Sequence, residues 1–293
     1  MTTSSIASKS EIYDLHSHTI ASDGHLTPSE LVDRAVANGV TTLAITDHDT
    51  IAGLAAAHDY IKTQALELTL IDGVEISTSW HSFDIHIVGL VVDTQSSIFN
   101  TFLQQQKERR QERALRIAKE LEKAGIPDPL QGARNIAGEA DLTRAHFARY
   151  LMSLGKAKSL HKIFSKYLAK GKIGYVKPQW SRIEEAVAAI HAAGGQAVLA
   201  HPTRYQLSGK WLKRLIAEFA QAGGDAIEVA MSQQTPDQRS QLAQHATQFN
   251  LLASLGSDFH YPSPWLDLGK NLWLPSGCQP VWTNWSTSHH NNK

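Results

Sequence analysis

The chain has 293 residues, of which 42% are apolar and 19% charged, a composition that excludes an intrinsically disordered protein. Its 28 Lys and Arg residues equal its 28 Asp and Glu residues, which argues against a uniformly basic nucleic-acid-binding surface. The single cysteine, Cys278, excludes an intramolecular disulfide and a cysteine-rich zinc site. Together with the absence of an apolar leader or a membrane-length apolar run, this composition predicts a soluble, cytoplasmic protein with no membrane partner.

Short apolar runs alternate with helix-like stretches along most of the chain. The predicted strands cover residues 12–15, 42–45, 69–71, 85–92, 197–199, 226–229 and 251–255. Further helices are predicted over residues 181–192 and 211–222, and each is followed by a pair of glycines. This alternation of strands and helices predicts a parallel α/β sheet.

The first predicted helix has a complete set of boundary signals. Thr27 is placed to be the N-cap residue, Pro28 suits the first helical position, and Glu30 completes a capping box. Gly39 follows the last apolar position and predicts the end of the helix.

Histidine or carboxylate residues follow five of the predicted strands: His16 and His18 the first, His48 the second, Glu75 the third, His201 the strand at 197–199, and Asp258 with His260 the last. A single histidine is most simply explained as a hydrogen-bonded or surface residue, but that does not explain why histidines recur at strand ends. Barrel enzymes build their active sites at the carboxyl ends of parallel strands. The nine candidate metal ligands are His16, His18, Asp23, His48, Glu75, His86, His201, Asp258 and His260.

The chemistry of these residues indicates a transition-metal site. His16 and His18 are two residues apart, so on an extended segment both rings point the same way. Imidazole and carboxylate together suit zinc, manganese or iron better than calcium. Nine ligands are too many for one tetrahedral ion and predict two or three ions that share a bridging carboxylate. His86 fits least well, because it lies inside its predicted strand.

Seven blocks of sequence resemble the successive motifs of the polymerase and histidinol phosphatase (PHP) phosphoesterases. In order they are HSHT, SDG, TDHDT, GVEIS, HIVGL, AHP and GSDFH, and the resemblance covers about residues 12–100 and 180–270. The resemblance implies a distorted (β/α)7 TIM-like barrel with a helical insertion. Within the family, LTRAHFARYL and YLAKGKIGYV resemble the group that contains 5′→3′ exoribonucleases of the RNase AM type and 3′,5′-nucleoside bisphosphate phosphatases.

The resemblance also implies a ligand set for three ions. His16, His18, Glu75 and Asp258 would hold the first ion, Glu75, His86 and His201 the second, and Asp23, His48 and His260 the third. Manganese is the expected metal, with iron or zinc as alternatives. Asp23 and His48 are the candidate catalytic residues beside a metal-bound hydroxide. The implied substrates are nucleoside 3′,5′-bisphosphates and 5′-phosphorylated RNA or short oligonucleotides, in RNA and rRNA processing.

Charge separates the predicted insertion from the barrel. Residues 101–180 contain 17 Lys and Arg against 7 Asp and Glu, a balance of +10, whereas the rest of the chain has a balance of −10. The predicted division is a first barrel part (1–98), a basic helical insertion (99–178), a second barrel part (179–286) and a disordered tail (287–293). Helices are predicted in the insertion over residues 101–124, 142–154 and 160–169.

The insertion is expected to hold the terminal 5′-phosphate of the substrate. Arg134 is the first candidate for this contact, with Arg144 and Lys172 as further candidates, whereas the charges between residues 107 and 123 are expected to form a solvated helix face. Two other functions stay open: a small-molecule phosphomonoesterase of the histidinol-phosphate type, and a non-catalytic metal-binding module.

Overall fold

Seven strands form the centre of the protein in the computed structural model, which describes residues 11–285. The strands are β1 (Tyr13–Asp14), β2 (Thr42–Ile45), β3 (Thr69–Trp80), β4 (Phe83–Leu90), β5 (Gln196–Leu199), β6 (Ala226–Ala230) and β7 (Leu252–Leu255). Each corresponds to one of the predicted strands. The predicted disordered tail, residues 287–293, lies outside the described residues.

The strands follow one another around a nearly closed barrel in the order of the sequence. Contacts between the first and last strands close it: the Leu15 N–H donates to the Leu255 carbonyl at 3.2 Å, and Ser17 forms a parallel bridge with Phe259. This architecture confirms the predicted distorted (β/α)7 barrel with helices around it.

The prediction of a wholly parallel sheet is wrong at β4, which runs antiparallel to both of its neighbours. Only His81 and Ser82 separate β3 from β4, so there is no room for the crossover helix that a parallel pair needs. His81 adopts a left-handed backbone conformation, φ 50°, in this tight hairpin. The hairpin also extends β3 to 12 residues, far beyond the predicted residues 69–71.

Helices surround the barrel and fill the segment between β4 and β5. They are α1 (Pro28–Ala37), α2 (Leu54–Thr63), α3 (Ser97–Lys123), α4 (Pro129–Ala137), α5 (Arg144–Ser153), α6 (Leu160–Ile163), α7 (Ile183–Ala192), α8 (Gly209–Gln221) and α9 (Pro236–Gln248). A π-helical turn, Phe164–Leu168, continues α6. The capping box of α1 is confirmed, because Thr27 Oγ1 accepts the Glu30 N–H at 3.2 Å and Glu30 Oε2 accepts the Thr27 N–H at 2.8 Å.

The barrel and the insertion are stabilised by separate clusters of buried apolar side chains. In the barrel, Ile76, Ile87 and Phe219 are among the fully buried side chains between the sheet and the outer helices. In the insertion, Phe147 and Leu151 belong to a core built by α3 to α6. The insertion helices therefore have their own packing, although the domain boundaries stay a prediction. Within residues 11–285, no helix is both long and apolar enough to span a bilayer.

Candidate metal centre

The barrel gathers the nine candidate ligands at one end. His16 and His18 follow β1, His48 follows β2, His201 follows β5, and Asp258 with His260 follow β7. Glu75 and His86 instead lie in the middle of β3 and β4, so the prediction that Glu75 follows a strand is wrong. Because β3 is a long arm of a hairpin, its middle passes the carboxyl ends of the shorter parallel strands.

Glu75 is the central residue of the centre. Its Oε1 lies 2.9 Å from His86 Nδ1 and 2.8 Å from His201 Nε2. Its Oε2 lies 3.0 Å from His48 Nδ1 and 3.3 Å from His18 Nε2. The two oxygens of one buried carboxylate thus face different pairs of imidazoles, as a bridging metal ligand requires.

Asp258 and Asp23 are the two other carboxylates among the candidate ligands of the centre. Asp258 Oδ1 lies 3.1 Å from His18 Nε2 and 3.4 Å from His16 Nε2. Asp23 Oδ1 lies 3.3 Å from His260 Nε2 and 3.8 Å from His48 Nε2. Each carboxylate is therefore shared by two imidazoles, which is the donor set of a transition-metal site.

Three groups in the described residues bring their potential ligand atoms within 4.8 Å of one another: His16, His18, Glu75 and Asp258; His48, Glu75 and His86; and His18, Asp23, His48 and His260. The first has the same members as the ligand set that the family resemblance implies. The second contains His48 where the resemblance places His201, which nevertheless contacts Glu75. The third has the implied members together with His18.

The buried polar atoms of the centre fit the binding of divalent ions. Six of them have no hydrogen-bond partner: His16 Nε2, His18 Nδ1, His48 Nδ1, His201 Nδ1, Glu75 Oε2 and Asp23 Oδ1. A buried polar atom without a partner carries a desolvation cost of about 1–3 kcal/mol. Metal coordination would remove that cost for the atoms that face an ion.

The pKa shifts of the centre also fit the binding of divalent ions. Burial would raise the pKa of Glu75, but the imidazoles of His86 and His48 hold the pKa of its carboxyl well below its ordinary value. Burial would lower the pKa of His18, but its hydrogen bond to Asp258 and the negative charge of Glu75 raise it to about 10. The carboxylates thus stay ionised, and the centre stabilises positive charge, which bound cations would supply.

Two of the candidate ligands have a strained backbone. His201 and Asp258 both adopt positive φ, 32° and 53° respectively. Such conformations are uncommon for residues other than glycine and cluster at functional sites.

Glu228 is a buried residue of the centre that the sequence did not single out. It lies in β6, is 1% exposed, and its Oε1 lies 2.6 Å from His16 Nδ1. Its other oxygen accepts the His201 N–H at 2.5 Å. A carboxylate behind a ligating histidine fixes the orientation of the ring. A charged residue inside the apolar run AIEVA was the available signal.

Asp47 orients the loop that carries Asp23. Its carboxylate accepts the Thr19 N–H at 2.8 Å, the Thr19 hydroxyl at 2.6 Å and the Ser22 hydroxyl at 2.5 Å. These contacts hold the segment directly before Asp23 against the end of β2.

A cavity of about 290 Å³ joins the centre to the insertion. Four candidate ligands line its barrel side: Asp23, His48, His86 and His260. Four arginines of the insertion line it as well: Arg110, Arg113, Arg144 and Arg149. The cavity therefore combines candidate metal ligands with guanidinium groups, which bind phosphate in a bidentate way.

The four arginines have few acidic partners. Arg113 and Arg144 share one carboxylate oxygen, Asp84 Oδ2, with each Nη2 3.5 Å away, whereas Arg110 pairs with the buried Asp49. Burial lowers the pKa of Arg113 to about 10, which leaves it protonated at neutral pH. The arrangement leaves an excess of positive charge for an anionic ligand.

The predicted substrate-binding residues fall in different places. Arg144 lines the cavity. Arg134 does not, and its Nη1 donates to the Ala140 carbonyl at 2.8 Å. Lys172 is exposed and is also absent from the lining. A substrate role of these three residues stays a prediction.

The expectation that residues 107–123 form a solvated helix face is wrong for Arg110 and Arg113, which are 7% and 6% exposed. They occupy the stripe of α3 that packs inward, together with Phe99, Leu103, Gln106, Ile117 and Leu121. This three- and four-residue spacing was visible in the sequence. Arg110 and Arg113 occupy positions of the apolar stripe, which indicates that they are buried. The glutamates between them and around them in the sequence made the segment look solvent-exposed.

A family model and two named relatives each match more than half of the chain. The family model described as PHP domain matches residues 14–232, more than half of the chain. The chain is 58% identical over 274 residues to the 5′-3′ exoribonuclease Rnm of Escherichia coli K12, covering 94% of each chain. It is 42% identical over 271 residues to the 3′,5′-nucleoside bisphosphate phosphatase of Chromobacterium violaceum, covering 92% of this chain and 94% of that protein.

Similarity extends to a solved structure. An amidohydrolase from C. violaceum, described with bound sulfate and no metal, superposes with a TM-score of 0.86 at 42% identity. The match covers 92% of this chain and 94% of that one.

Proposed function

Because the chain belongs to the PHP domain family, we propose that it is a metal-dependent phosphoester hydrolase that removes nucleotides from the 5′ end of RNA and also hydrolyses nucleoside 3′,5′-bisphosphates. The relatives named as exoribonuclease and as bisphosphate phosphatase share most of their length with this chain. Both reactions cleave a phosphoester next to a ribose, so one site can serve both.

The observation that carries the proposal is the composition of the cavity. Candidate metal ligands and four insertion arginines line the same space of about 290 Å³. Ligand pockets of small molecules span roughly 300–1,000 Å³, so a space of this size suits one nucleotide. A substrate with two phosphates can therefore place one at the metal ligands and the other at the arginines.

The proposed cofactor is a pair or trio of divalent ions, with manganese first and iron or zinc as alternatives. Bound ions would neutralise charge on the attacked phosphate and activate water near neutral pH. The chain would hold them through the nine ligands, with Glu75 as the bridge.

The remaining residues would bind and orient the substrate. Asp23 and His48 are proposed catalytic residues because both line the cavity and belong to one ligand group. Arg144 is the proposed 5′-phosphate contact, since it lines the cavity and its Asp84 partner also contacts Arg113. Arg134 and Lys172 stay weaker candidates for the same contact.

A small-molecule phosphomonoesterase of the histidinol-phosphate type is the rival function. Such a substrate carries one phosphate, which the metal ions themselves would hold. Arg113 and Arg144 would then share only the carboxylate of Asp84 across the cavity, and this excess of guanidinium groups favours a substrate with a second phosphate. The cytoplasmic location and a role in rRNA processing stay predictions.

A substrate panel tests the proposal. Protein incubated with manganese is offered 5′-phosphorylated RNA, 5′-hydroxyl RNA, a nucleoside 3′,5′-bisphosphate and histidinol phosphate, and kcat/KM is measured for each. We expect the 5′-phosphorylated RNA and the bisphosphate to be hydrolysed much faster than the other two substrates. Preferential hydrolysis of histidinol phosphate would overturn the proposal in favour of its rival.

A further inference from the structure

The loop formed by residues 261–266 directly follows the candidate ligand His260 and is held at both ends. Before it, the His25 N–H donates to the His260 carbonyl at 2.8 Å. After it, Asp267 accepts two hydrogen bonds from Arg34, at 2.7 and 2.8 Å. Inside it, Ser263 Oγ accepts the Leu266 N–H at 3.0 Å, and two prolines restrict the backbone. These hydrogen bonds and prolines restrain the backbone of the loop, and so they restrain the positions of its side chains.

This loop displays an aromatic side chain to solvent. Trp265 is 82% exposed, the highest exposure among the large hydrophobic side chains of residues 11–285. Within that range no other aromatic ring packs against it and its indole has no hydrogen-bond partner. Tryptophan combines a large apolar ring with a polar N–H, and Trp265, five residues after the candidate ligand His260, leaves that ring free to contact a bound ligand.

The loop extends from the cavity to the outer surface. Tyr261, at its start, is 44% exposed and lines the cavity beside His260. The ring of His25 lies 5.2 Å from the Tyr261 ring. Trp265, four residues further along, does not line the cavity. A ligand that contacts Trp265 must therefore extend beyond the space that holds a single nucleotide.

The chemistry of the cavity identifies the occupant. Its arginines select an anionic substrate, and in the proposed reaction the first nucleotide lies between them and the metal ligands. The remainder of an RNA strand then continues past the metal ligands, among which His260 leads into the loop. Aromatic rings bind successive bases of single strands by stacking, without sequence preference.

We propose that Trp265 stacks on a base of the RNA strand 3′ to the scissile phosphate, and that this contact favours RNA over nucleoside 3′,5′-bisphosphates. The inference rests on the proposed function. A bisphosphate ends at the attacked phosphate and so has no group that reaches Trp265. The contact acts on binding of the polymer and leaves the reacting atoms unchanged.

Substitution of Trp265 tests the contact with two substrates. In Trp265→Ala, kcat/KM on a 5′-phosphorylated RNA oligonucleotide should fall about tenfold, mainly through KM, whereas kcat/KM on the bisphosphate should stay unchanged. Trp265→Phe, which keeps a stacking ring, should recover most of the RNA activity. Trp273→Ala is the matched control: Trp273 is also exposed, at 54%, but lies against Arg239 and does not line the cavity.

The outcomes distinguish a failure of the Trp265 contact from a failure of the proposed function. An unchanged RNA activity in Trp265→Ala, or an equal loss on both substrates, would overturn the stacking contact and leave the proposed function standing. A failure of Trp265→Phe to recover activity would also overturn it. If the unsubstituted protein hydrolyses neither substrate, the proposed function is refuted and the stacking contact with it.

Discussion

The barrel and the insertion contribute to the same cavity through opposite charges and different local geometry. The barrel supplies acidic residues and histidines from strands and strand ends, and the insertion supplies arginines from helix faces. In the barrel, neighbours such as His16 and His18 act together because alternate residues of an extended chain face one way. In the insertion, Arg110 and Arg113 act together because residues three apart share a helix face. A neutral total charge therefore conceals two complementary halves of one site.

The largest expected effect comes from removing the barrel half of the site. His16→Ala or Asp258→Ala should lower kcat on both RNA and bisphosphate by at least about a thousandfold, or ~4 kcal/mol, because the metal ions supply several kcal/mol of charge stabilisation. Elemental analysis of the unsubstituted protein, purified without chelator, should show more than one manganese, iron or zinc per chain, and less in either variant.

The fold is the control for this experiment. Both variants should keep the far-ultraviolet circular dichroism spectrum, because the apolar cores do not include the candidate metal ligands. Full activity in EDTA, with less than one ion per chain, would refute a multinuclear centre.

An intermediate effect is expected from the insertion half. Arg144→Ala should lower kcat/KM on 5′-phosphorylated RNA about tenfold to a hundredfold, since a hydrogen bond to a charged group contributes about 1.5–3 kcal/mol. The loss on 5′-hydroxyl RNA should be much smaller, because that substrate has no terminal phosphate. Steady-state kinetics of two enzymes on two substrates isolate the contact.

Arg134→Ala is the comparison variant within the same insertion. Arg134 donates to a backbone carbonyl and does not line the cavity, so its selective loss on 5′-phosphorylated RNA should be smaller than that of Arg144→Ala. The reverse order would restore Arg134 as the main 5′-phosphate contact.

The smallest effect concerns the stability of the insertion in acid. Burial lowers the pKa of His146 to about 4 in the folded protein, against about 6.5 in an unfolded chain. The unfolded state therefore takes up a proton first, and stability is full above pH 6.5 and falls as pH drops toward 4. At pH 5 the loss due to His146 should be about 2 kcal/mol.

His146→Gln removes this titration and keeps the local cap. His146 Nδ1 accepts the Thr143 N–H at 3.0 Å at the start of α5, and a glutamine oxygen suits the same position. Free energies of unfolding from urea titrations at pH 7 and pH 5 should show a smaller acid loss in the variant by about 2 kcal/mol. Parallel losses in both proteins would contradict the depressed pKa.

The barrel half of the site was largely predictable, and the exceptions have a common cause. His16, His18 and Asp258 were found because they follow apolar runs at strand ends. Glu75 was placed after a strand, although it lies within β3, because the predicted strand ends at Ile71, directly before Asp72-Gly73. A Cβ on Gly73 would lie 2.9 Å from the Ile45 carbonyl, so close packing against β2, invisible in sequence, requires the glycine there.

The sequence by itself determined the number and order of the strands, the α1 cap, the identity of the candidate ligands and the charge of the insertion, because these depend on local periodicity and composition. Only the tertiary structure decided which arginines line the cavity and that Glu228 supports His16. Arg110 and Arg113 lie next to glutamates in sequence, but helix packing turns only one face of α3 toward the barrel. Long-range contacts are set by how whole elements pack. His16 and Glu228 are 212 positions apart, and the residues around each of them do not indicate that the two side chains are in contact.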